Sequence, residues 1–398
     1  MSTFWMFLTS AAVGLLFYAF IGYGLLMQVL LRFKQMGKGK ANSRSFFRKE
    51  WPEVTLLVPA YNEADILADK WANCRSLDYP AGKLELLFVT DGSDDGSEAV
   101  LRGLDADLRV LHQPQRRGKS AAINRAMPAV RTPIVVMTDA NTMLQPDALR
   151  HLVRAYDDPQ VGAVSGEKKV LAAEGAGAAQ SEGLYWRYES WLKRVDAGMS
   201  TLVGAAGELF SMRTVLFQPI PEQTILDDFE LSVGIAARGY KVDYVPEAVA
   251  TELPSANVAE EFKRKVRIAA GGVQSIWRFR RLFDLRRYGW LGFQFLSHRA
   301  LRWTLTPWAL ITAFLANTAW VLTIASPVAW TFWAAQTAFY LLALNGWRTQ
   351  TKGRRFPGAR VAFYFVMMHY AVLLGQLRWL KNQKPQAAWE RSRRAQAA

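Results

Sequence analysis

Long apolar runs at both ends of the chain enclose a more polar middle. Phe4 to Leu31 contains no charged residue and exceeds the roughly 20 apolar residues that cross a bilayer, so it predicts a transmembrane anchor within residues 1–33. Trp303 to Ala325 and Pro327 to Trp347 predict two further spans joined by a short outer turn. Val361 to Leu380 is also apolar, and the pattern leaves open whether it crosses the membrane, re-enters or lies in its plane.

The middle region, residues 51–272, alternates short apolar runs with helix-like segments. The runs "EVTLLVPA", "LELLFVTD", "LRVLHQ" and "PIVVMT" predict strands, and segments such as "GKSAAINRAMPAV" predict the helices between them. Alternation of this kind predicts an α/β fold with a largely parallel sheet. The carboxyl ends of parallel strands share one edge, where open α/β sheets bind their ligands.

The formal net charge of +15 makes nucleic acid a candidate partner, but the distribution of the charge argues against it. Many basic residues flank the apolar segments, as in "RFKQMGKGKANSRSFFRK" and "RTQTKGRRFPGAR", which suits an anionic membrane face. By the positive-inside rule these flanks, and the domain after the first span, are cytoplasmic. We therefore expect an integral membrane protein with a cytoplasmic domain and no nucleic-acid partner.

Two more regions complete the predicted organisation. Residues 273–300 begin with "VQSIWRFRRLFDLRRYGW", whose mixture of Trp, Phe, Leu and Arg suits amphipathic helices in the membrane interface, although a solvated basic helix has a similar composition. Residues 301–381 form the C-terminal transmembrane region, and residues 382–398 form a basic tail. If residues 361–380 cross the bilayer, that tail lies outside, against the charge rule.

The stretch "LLFVTDGSDDGSEAV" ends an apolar run on three aspartates. Asp91, Ser93, Asp95 and Gly96 occupy the first, third, fifth and sixth positions of a calcium-binding EF-hand loop. Arg102 holds the twelfth position, which needs a glutamate, and a strand precedes the loop where a helix is required. On the residues alone, a turn with helix capping and a ligand site both remain open.

Other residue types narrow the chemistry. The single cysteine, Cys74, excludes an internal disulfide, and the four scattered histidines do not form a zinc motif, so a metal would need oxygen ligands. The absence of a G-x-G-x-x-G motif or P-loop after the strands excludes those phosphate-binding modes. Polar residues do follow three predicted strands: Asn62, Glu63, Asp91, Asp94, Asp139 and Asn141. They predict a ligand crevice at one sheet edge.

Six motifs occur in a fixed order, namely "VPAYNE", "TDGSDDGS", "RRGKSAAINRA", "TDANT", "LDDFEL" and "FKRKVRIAAGG", followed by "SHRALRW". In this order and spacing they resemble the family 2 glycosyltransferases of the membrane-bound, polysaccharide-synthesising type. The resemblance covers most of the chain. It implies a GT-A catalytic domain, Rossmann-like with a mainly parallel sheet, bracketed here by transmembrane helices. It also implies a UDP-sugar donor and a divalent cation, Mg²⁺ or Mn²⁺.

The resemblance also assigns a donor pocket. Asp91 corresponds to the aspartate that contacts uracil or ribose, and Pro59, Tyr61 and Glu63 border the same pocket.

The metal motif is altered. Asp139 and Asn141 stand where the family's D-x-D motif binds the metal and the diphosphate. Because Asn141 replaces the second acid, Asp139 and the donor phosphates would dominate the coordination. Lys119, Arg264 and Arg267 are candidates for binding the diphosphate, since cationic side chains match phosphate oxygens.

Asp227 and Asp228 are the candidates for catalysis. Transfer needs a base for the acceptor hydroxyl, neutralisation of the departing diphosphate and in-line alignment. By resemblance, Asp228 matches the catalytic carboxylate and Asp227 its supporting neighbour. Adjacent carboxylates raise one another's pKa, which suits a base. The same pair is also suited to capping the helix "DFELSVGIAARG".

The acceptor side is less defined by the sequence. "KRKVRIAAGG" occupies the place of the Q-x-x-R-W motif of processive synthases but lacks its Gln and its Trp, which stacks under the acceptor sugar in those enzymes. Four aromatic residues in "SEGLYWRYESW" either stack on sugar or lipid or pack as one face on the membrane or the core. They are Tyr185, Trp186, Tyr188 and Trp191.

We therefore expect an inverting glycosyltransferase that moves a hexose from a nucleotide-diphosphate sugar to a lipid-linked or polysaccharide acceptor at the cytoplasmic membrane face, in exopolysaccharide or glycan synthesis. The alternatives are a processive polysaccharide synthase, a transferase to ceramide or a similar lipid, and a non-catalytic assembly subunit or transporter. Intact Asp91, Asp139 and Asp228 argue against the last. Expected partners are membrane lipid and other polysaccharide-assembly proteins, and the lack of disulfides fits a bacterial inner membrane.

Overall fold

The computed structural model describes residues 2–36, 50–171, 177–324, 326–349 and 357–381. The predicted basic tail, residues 382–398, lies outside the described residues. So does most of the basic flank that follows the first apolar segment, at residues 37–49.

A mixed eight-stranded sheet forms the centre of the middle region. The strands are β1 Val54–Ala60, β2 Leu84–Asp91, β3 Arg109–Gln113, β4 Ile134–Met137, β5 Thr142–Leu144, β6 Val161–Val170, β7 Phe210–Arg213 and β8 Lys241–Glu252. Their order across the sheet is β3-β2-β1-β4-β7-β6-β8-β5. The pairs β1–β2, β1–β4, β2–β3 and β6–β8 are parallel, which confirms the largely parallel sheet. Strand β7 is antiparallel to both of its neighbours, a feature that the pattern did not predict.

Helices cover both faces of the sheet and both ends of the chain. They are α1 Ser2–Phe17, α2 Tyr23–Met36, α3 Leu67–Arg75, α4 Ser97–Leu104, α5 Lys119–Ala126, α6 Ala148–Arg154, α7 Gly177–Met199, α8 Asp227–Ala237, α9 Val258–Arg278, α10 Leu285–Gln294, α11 Leu301–Thr304, α12 Thr306–Thr323, α13 Pro327–Thr349 and α14 Pro357–Lys381. A π-helical turn, Tyr18–Gly22, joins α1 to α2.

The core has two layers because successive strand residues point to opposite faces. Leu57 of β1 and Phe229 of α8 belong to one apolar cluster, whereas Leu56 and Val58 belong to the cluster on the other face. With both faces covered, the central strands are continuous apolar runs. All seven residues of β1 are buried. Because both faces of the central strands are buried, their ends, which carry the polar residues, are held in fixed positions.

The candidate membrane spans differ in part from those predicted. Among the described helices, Ser2–Met36 and Gly358–Lys381 are long and apolar enough to cross a membrane. Leu285–Thr304 and Thr306–Thr323, bent by 59°, would together make a third. The helix Pro327–Thr349 is outside this set, contrary to the predicted span, because its Trp, Tyr, Gln and Asn residues lower its hydropathy. The segment that the sequence left open, residues 361–380, is inside it.

The region predicted to be interfacial is broken into separate pieces. Helix α9 begins at Val258 and continues to Arg278, through the predicted boundary at residue 272. A short 3₁₀ turn follows, and α10 begins after Asp284, whose carboxylate accepts hydrogen bonds from the Arg286 and Arg287 amides. Gly289 interrupts α10 with a φ of 48°. Residues 273–300 therefore form several helical segments, divided by a capping aspartate and a glycine, and their location at the membrane interface stays a prediction.

Candidate active site

The loops after β1 and β2 are tied to each other by side chains. Asn62 Nδ2 donates a hydrogen bond to Asp94 Oδ1 over 2.8 Å, and the Asp94 amide donates to Asn62 Oδ1 over 3.1 Å. Asp95 accepts hydrogen bonds from the amides of Ala64 and Ser97 at 2.9 and 3.0 Å. Partial burial acts to raise the pKa of Asp95, but these bonds and the one from the Ser97 hydroxyl lower it. Two of the three aspartates therefore shape the turn.

Asp91, the third aspartate, organises the next loop. It is fully buried, and its Oδ2 accepts hydrogen bonds from the amides of Arg117 and Gly118 at 2.9 and 2.6 Å. Arg125 Nη1 lies 3.3 Å from Asp91 Oδ1. Because these amides precede α5, whose N-terminal dipole favours a negative charge, the Asp91 carboxylate fixes the loop that positions Lys119. A direct contact of Asp91 with uracil or ribose stays a prediction.

Lys119 connects the ends of three elements. Its ammonium lies 2.7 Å from Asp139 Oδ1, after β4, and 3.3 Å from Asp227 Oδ2, at the start of α8. Burial acts to lower the pKa of Lys119, but Asp139 and Asp227 outweigh it and raise the pKa above its ordinary value. One small cavity is lined by Pro59 of β1 together with Lys119, Asp139, Asp227 and Asp228. Five predicted site residues, separated by up to 169 positions in the chain, thus meet at one point.

Asp228 has the electrostatic environment of a general base. Burial and the neighbouring Asp227 carboxylate raise its pKa to about 7, although Lys119 acts in the opposite direction. A cavity-lining carboxyl that titrates near neutral pH is well matched to accept a proton from a hydroxyl. Gly207 leaves room beside it, since a Cβ at that position would lie 3.3 Å from Asp228 Oδ2.

The capping interpretation of the aspartate pair does not fit the start of α8. Its N-cap is Leu226, and no side chain forms a capping hydrogen bond there. Asp227 and Asp228 are the first two residues of the helix, with Asp228 Oδ1 accepting from the Phe229 amide over 2.8 Å. The pair is therefore free to face Lys119 and the cavities.

The described residues can hold a metal only with help from a ligand. No cluster of three His, Cys, Asp or Glu side chains suited to a metal occurs among them. Asp139 offers one carboxylate, 34% exposed, and Asn141 offers a side-chain carbonyl that accepts from Thr142 Oγ1 over 3.4 Å. Mg²⁺ is commonly bound through one or two carboxylates together with substrate phosphates. Asp139 fits such a site, provided that donor phosphates complete it.

A second, larger cavity of about 510 Å³ begins at Asp228 and reaches the apolar helices. Phe20, at the junction of α1 and α2, lines it together with α14 side chains that include Phe365 and Met368. Trp303 also contributes to the wall, and a Cβ on Gly272 would lie 2.4 Å from the Trp303 ring. Asp228, the candidate base, therefore lies between the small polar cavity and the large cavity that reaches the apolar helices.

The aromatic residues of α7 divide between the two roles that the sequence left open. Tyr185, Trp186 and Tyr188 line the large cavity. Trp191 instead packs on α2, where its indole N–H donates to Gln28 Oε1 over 3.1 Å. Three of the four are therefore placed to contact a ligand, and the fourth holds α7 against the first apolar segment.

Other predicted residues lie apart from the small cavity. Arg264 lines the large cavity and forms a two-pronged ion pair with Glu261, at 2.8 and 2.9 Å. Arg267 is half-buried on the same helix and is not among the described residues that line either cavity. Tyr61 stacks under the Arg116 guanidinium, 4.0 Å from the ring centre, and the Glu63 amide donates to Ser97 Oγ over 3.1 Å. Their roles in donor binding stay predictions.

Sequence reasoning missed several charged residues of the large cavity: Glu189, Lys193, Glu208, Lys265, Arg299 and Arg302. Two signals were available. Glu189 and Lys193 are four residues apart, hence on one face of α7, within the aromatic segment. Arg299 and Arg302 lie in "SHRALRW", directly before an apolar segment, where charged residues are costly without partners.

Comparisons with known proteins point in one direction. Residues 52–271 match the family model described as "Glycosyltransferase like family 2". The poly-β-1,6-N-acetyl-D-glucosamine synthase of Staphylococcus aureus (strain MSSA476) is 26% identical over 231 residues, which cover 56% of this chain and 56% of that protein. The β-monoglucosyldiacylglycerol synthase of Trichormus variabilis is 26% identical over 235 residues, covering 56% of this chain and 49% of that protein. The chain spans about half the length of these curated relatives.

One solved structure is similar over nearly the whole chain. It is a mannosyltransferase from Pyrobaculum calidifontis in complex with GDP-mannose and Mn²⁺. The TM-score is 0.72 at 25% sequence identity, and the match covers 94% of this chain and 99% of that one. The similarity therefore includes apolar helices as well as the sheet domain.

Proposed function

The chain belongs to the glycosyltransferase-like family 2, and on that premise we propose that it transfers a hexose from a nucleotide-diphosphate sugar to a membrane-held acceptor, with inversion at the anomeric carbon. One observation carries the proposal. Asp228 lines both the small cavity with Lys119 and Asp139 and the large cavity that reaches α14. The donor and the acceptor can thus approach the same carboxylate from two sides.

The small cavity supplies the donor side. Lys119 neutralises negative charge that develops on the departing diphosphate. Asp139 would hold Mg²⁺ or Mn²⁺ together with the donor phosphates. The bound cation would supply further neutralisation of the leaving group. The Mn²⁺ and GDP-mannose of the Pyrobaculum calidifontis structure support this assignment. Asp91 acts through the loop that it fixes, and the stack of Tyr61 on Arg116 lies beside the same loop.

The reaction is a single displacement. The acceptor hydroxyl oxygen forms a bond to the anomeric carbon while the bond from that carbon to the diphosphate oxygen breaks. The leaving nucleoside diphosphate takes the bonding electron pair, and the Asp228 carboxylate takes the hydroxyl proton. Asp227 stays paired with Lys119 and keeps that cation beside the leaving group. Attack from the side opposite to the diphosphate inverts the anomeric centre.

The large cavity supplies the acceptor side. Aromatic side chains of α7 and apolar residues of α14 surround it, a lining that suits a sugar ring or acyl chain better than a free polar solute. Its contact with α14 favours an acceptor that is anchored in the bilayer, either a lipid or a lipid-linked glycan. The named products of the two curated relatives, a polysaccharide and a glycolipid, are compatible with both.

We place the catalytic domain on the cytoplasmic face of a bacterial inner membrane. The basic residues beside the apolar segments support that orientation through the positive-inside rule. Within the proposal, residues 51–272 are the catalytic domain, residues 1–33 and 301–381 anchor it, and residues 273–300 lie at the membrane interface. Other polysaccharide-assembly proteins are candidate partners.

The test is nucleoside diphosphate release by the full chain in nanodiscs, with a panel of UDP-sugars and GDP-mannose and with native lipid extract as acceptor. We expect acceptor-stimulated turnover with one donor. Asp228→Asn should lower turnover at least a thousandfold while donor binding, followed by calorimetry, persists. Asp107→Asn, at an exposed surface position, is the matched control and should retain parental turnover.

Two results would contradict the proposal. One is the absence of turnover with every donor despite folded protein and tight donor binding. The other is turnover in Asp228→Asn at the parental rate, which would remove the base from the mechanism while leaving a transferase.

A further inference from the structure

Cationic side chains outnumber carboxylates in the lining of the large cavity. Five cationic side chains, Lys193, Arg264, Lys265, Arg299 and Arg302, line it together with three carboxylates, Asp228, Glu189 and Glu208. One carboxylate, Asp228, is assigned to the proton of the acceptor. The question is then whether each of the other charged side chains has a partner of opposite charge.

Arg299 and Arg302 share a single acidic partner. Glu189 Oε2 lies 3.3 Å from Arg299 Nη1, and Glu189 Oε1 lies 2.8 Å from Arg302 Nη1. His298 Nε2 approaches the same carboxylate at 3.6 Å. Burial acts to raise the pKa of Glu189, but His298 and the two arginines hold it well below the ordinary value. One carboxylate thus balances two guanidinium groups.

Glu208 is engaged elsewhere. Its Oε1 accepts a hydrogen bond from Lys168 Nζ over 2.5 Å, and Lys168 also contacts Glu252. Glu208 is therefore part of a buried ion-pair network with Lys168, so the charge that it offers to Lys193 is already partly balanced.

Lys193 is the group without a counter-ion. Its side chain is buried, with 3% of the residue exposed, and it lines the cavity. Among the described residues no carboxylate forms an ion pair with it and no acceptor forms a hydrogen bond with it. Its ammonium instead faces the rings of Trp186 and Tyr244 at 5.7 and 5.8 Å. Burial lowers its pKa, and the carboxylates of Glu167 and Glu208 only partly oppose this.

A buried cation that forms no ion pair is unfavourable, even beside aromatic rings and more distant carboxylates, unless an anion completes the site. We propose that Lys193 binds a phosphate group of the acceptor, and hence that the acceptor is an anionic, phosphate-bearing membrane lipid that also carries the attacking hydroxyl. This rests on the proposed function above. Arg299 and Arg302 line the cavity beside Glu189, and they add to the positive potential of the cavity. A neutral glycolipid would leave the Lys193 ammonium without an ion-pair partner.

The test uses the full chain and lipids from the source membrane. The extract is separated on an anion-exchange column into neutral and anionic pools, and each pool is reconstituted with the protein in phosphatidylcholine nanodiscs. Transfer of radiolabelled sugar from the active donor is then measured in each pool. We expect label in the anionic pool. Mild alkaline methanolysis, which destroys acyl-ester phospholipids and spares prenyl lipids, distinguishes the two sources of a lipid phosphate.

Variants at α7 test the contact itself. Lys193→Met should raise KM for the anionic pool by about tenfold to a hundredfold, the range expected for losing a charge-assisted bond to phosphate, with kcat changed much less. Lys193→Arg should restore much of the loss. The matched control is Arg194→Gln, one position along the same helix but exposed, which should behave as the parent. Donor affinity of Lys193→Met should stay within about twofold of the parent.

The outcomes separate the two proposals. Label in the neutral pool alone would overturn the phosphate assignment and leave the transferase standing. Equal KM values for Lys193→Met and the parent on the anionic pool would also overturn it. Transfer into neither pool with any donor would overturn the proposed function and this inference together.

Discussion

The ammonium of Lys119 lies 2.7 Å from the Asp139 carboxylate. The two residues are 20 positions apart in the chain, and they meet because α5 begins at the edge of the sheet where β4 ends. Asp139 is therefore held by a protein cation before any ligand arrives. In the proposed reaction, a donor diphosphate and its metal would enter next to an existing ion pair, and Lys119 would lie beside the leaving group.

Removing that cation should impair transfer. Lys119→Met is expected to lower kcat/KM by about a hundredfold, since one lost transition-state partner typically costs that much. It should also weaken nucleoside diphosphate binding, measured by calorimetry. Lys83→Met is the control, because Lys83 is 43% exposed and pairs only with Glu53 at the surface. A Lys119→Met enzyme within threefold of the parent would remove Lys119 from the mechanism.

The rate should depend on pH through Asp228. Its pKa is raised to about 7, chiefly by burial and by Asp227, and only the deprotonated carboxylate accepts the hydroxyl proton. We expect kcat/KM to rise with pH and to level off above about 7. The profile is measured from pH 5.5 to 8.5 in nanodiscs. A flat profile over that range would mean that Asp228 is not the base.

The same shift makes a prediction for stability. A carboxyl group whose pKa rises on folding, here from 3.8 to about 7, binds protons more tightly in the folded state. Its contribution to stability is full below about pH 4 and is lost as the pH rises through 7. Because Asn cannot ionise, Asp228→Asn should be more stable relative to the parent at pH 8 than at pH 5. Thermal unfolding at the two pH values tests this, and an identical difference in Tm would contradict it.

Metal affinity should respond to the second position of the "TDANT" motif. Asn141→Asp adds a carboxylate next to the one offered by Asp139, and affinity for divalent cations rises with the number of charged ligands. We expect activity to be lost in EDTA, and the Mn²⁺ concentration for half-maximal recovery to fall by about tenfold in Asn141→Asp. Asn257→Asp, at an exposed helix N-cap that tolerates either residue, is the control. Full activity in EDTA would contradict the metal assignment.

Gly92 should be essential to the loop after β2. Its φ is +65°, and a Cβ there would lie 2.5 Å from Arg116 Cβ. Gly82 has a similar φ of +73° but open space around it, so Gly82→Ala should cost only about 1–2 kcal/mol of backbone strain. Gly92→Ala should lower Tm by more, and should weaken nucleotide binding because Arg116 stacks on Tyr61. Equal shifts in Tm for the two variants would show that the close contact relaxes freely.

Much of the catalytic domain was predictable from local patterns. The strands "VTLLVPA", "LELLFVTD", "RVLHQ" and "IVVM" are confirmed as β1 to β4. The continuously apolar sequences of β1 and β4 match their burial along the whole strand, whereas β3 is a half-exposed edge strand. The polar residues at the strand ends followed from the same argument. The antiparallel insertion of β7 between β4 and β6 did not, since pairing direction depends on connections far away in the chain.

The membrane region was predicted less well. The chain contains apolar runs at the expected places, but a run does not reveal where a helix bends or what it packs against. Asp284 and Gly289 determine where the helices of residues 273–300 begin and break, although each is a single residue in a long amphipathic pattern.

By itself the sequence determined the residue types that the chemistry needs, since carboxylates, cations and glycines at strand ends are local properties of the chain. Only the tertiary structure decided which role each of these residues has. Asp94 and Asp95 hold a turn, Asp91 holds the loop before α5, and Lys119 joins Asp139 to Asp227. The proposed phosphate-binding role of Lys193 rests on its burial without an ion-pair partner, which only the structure shows. The physical reason is that pKa values, ion pairs and cavities depend on distances between residues far apart in the chain, which no local pattern records.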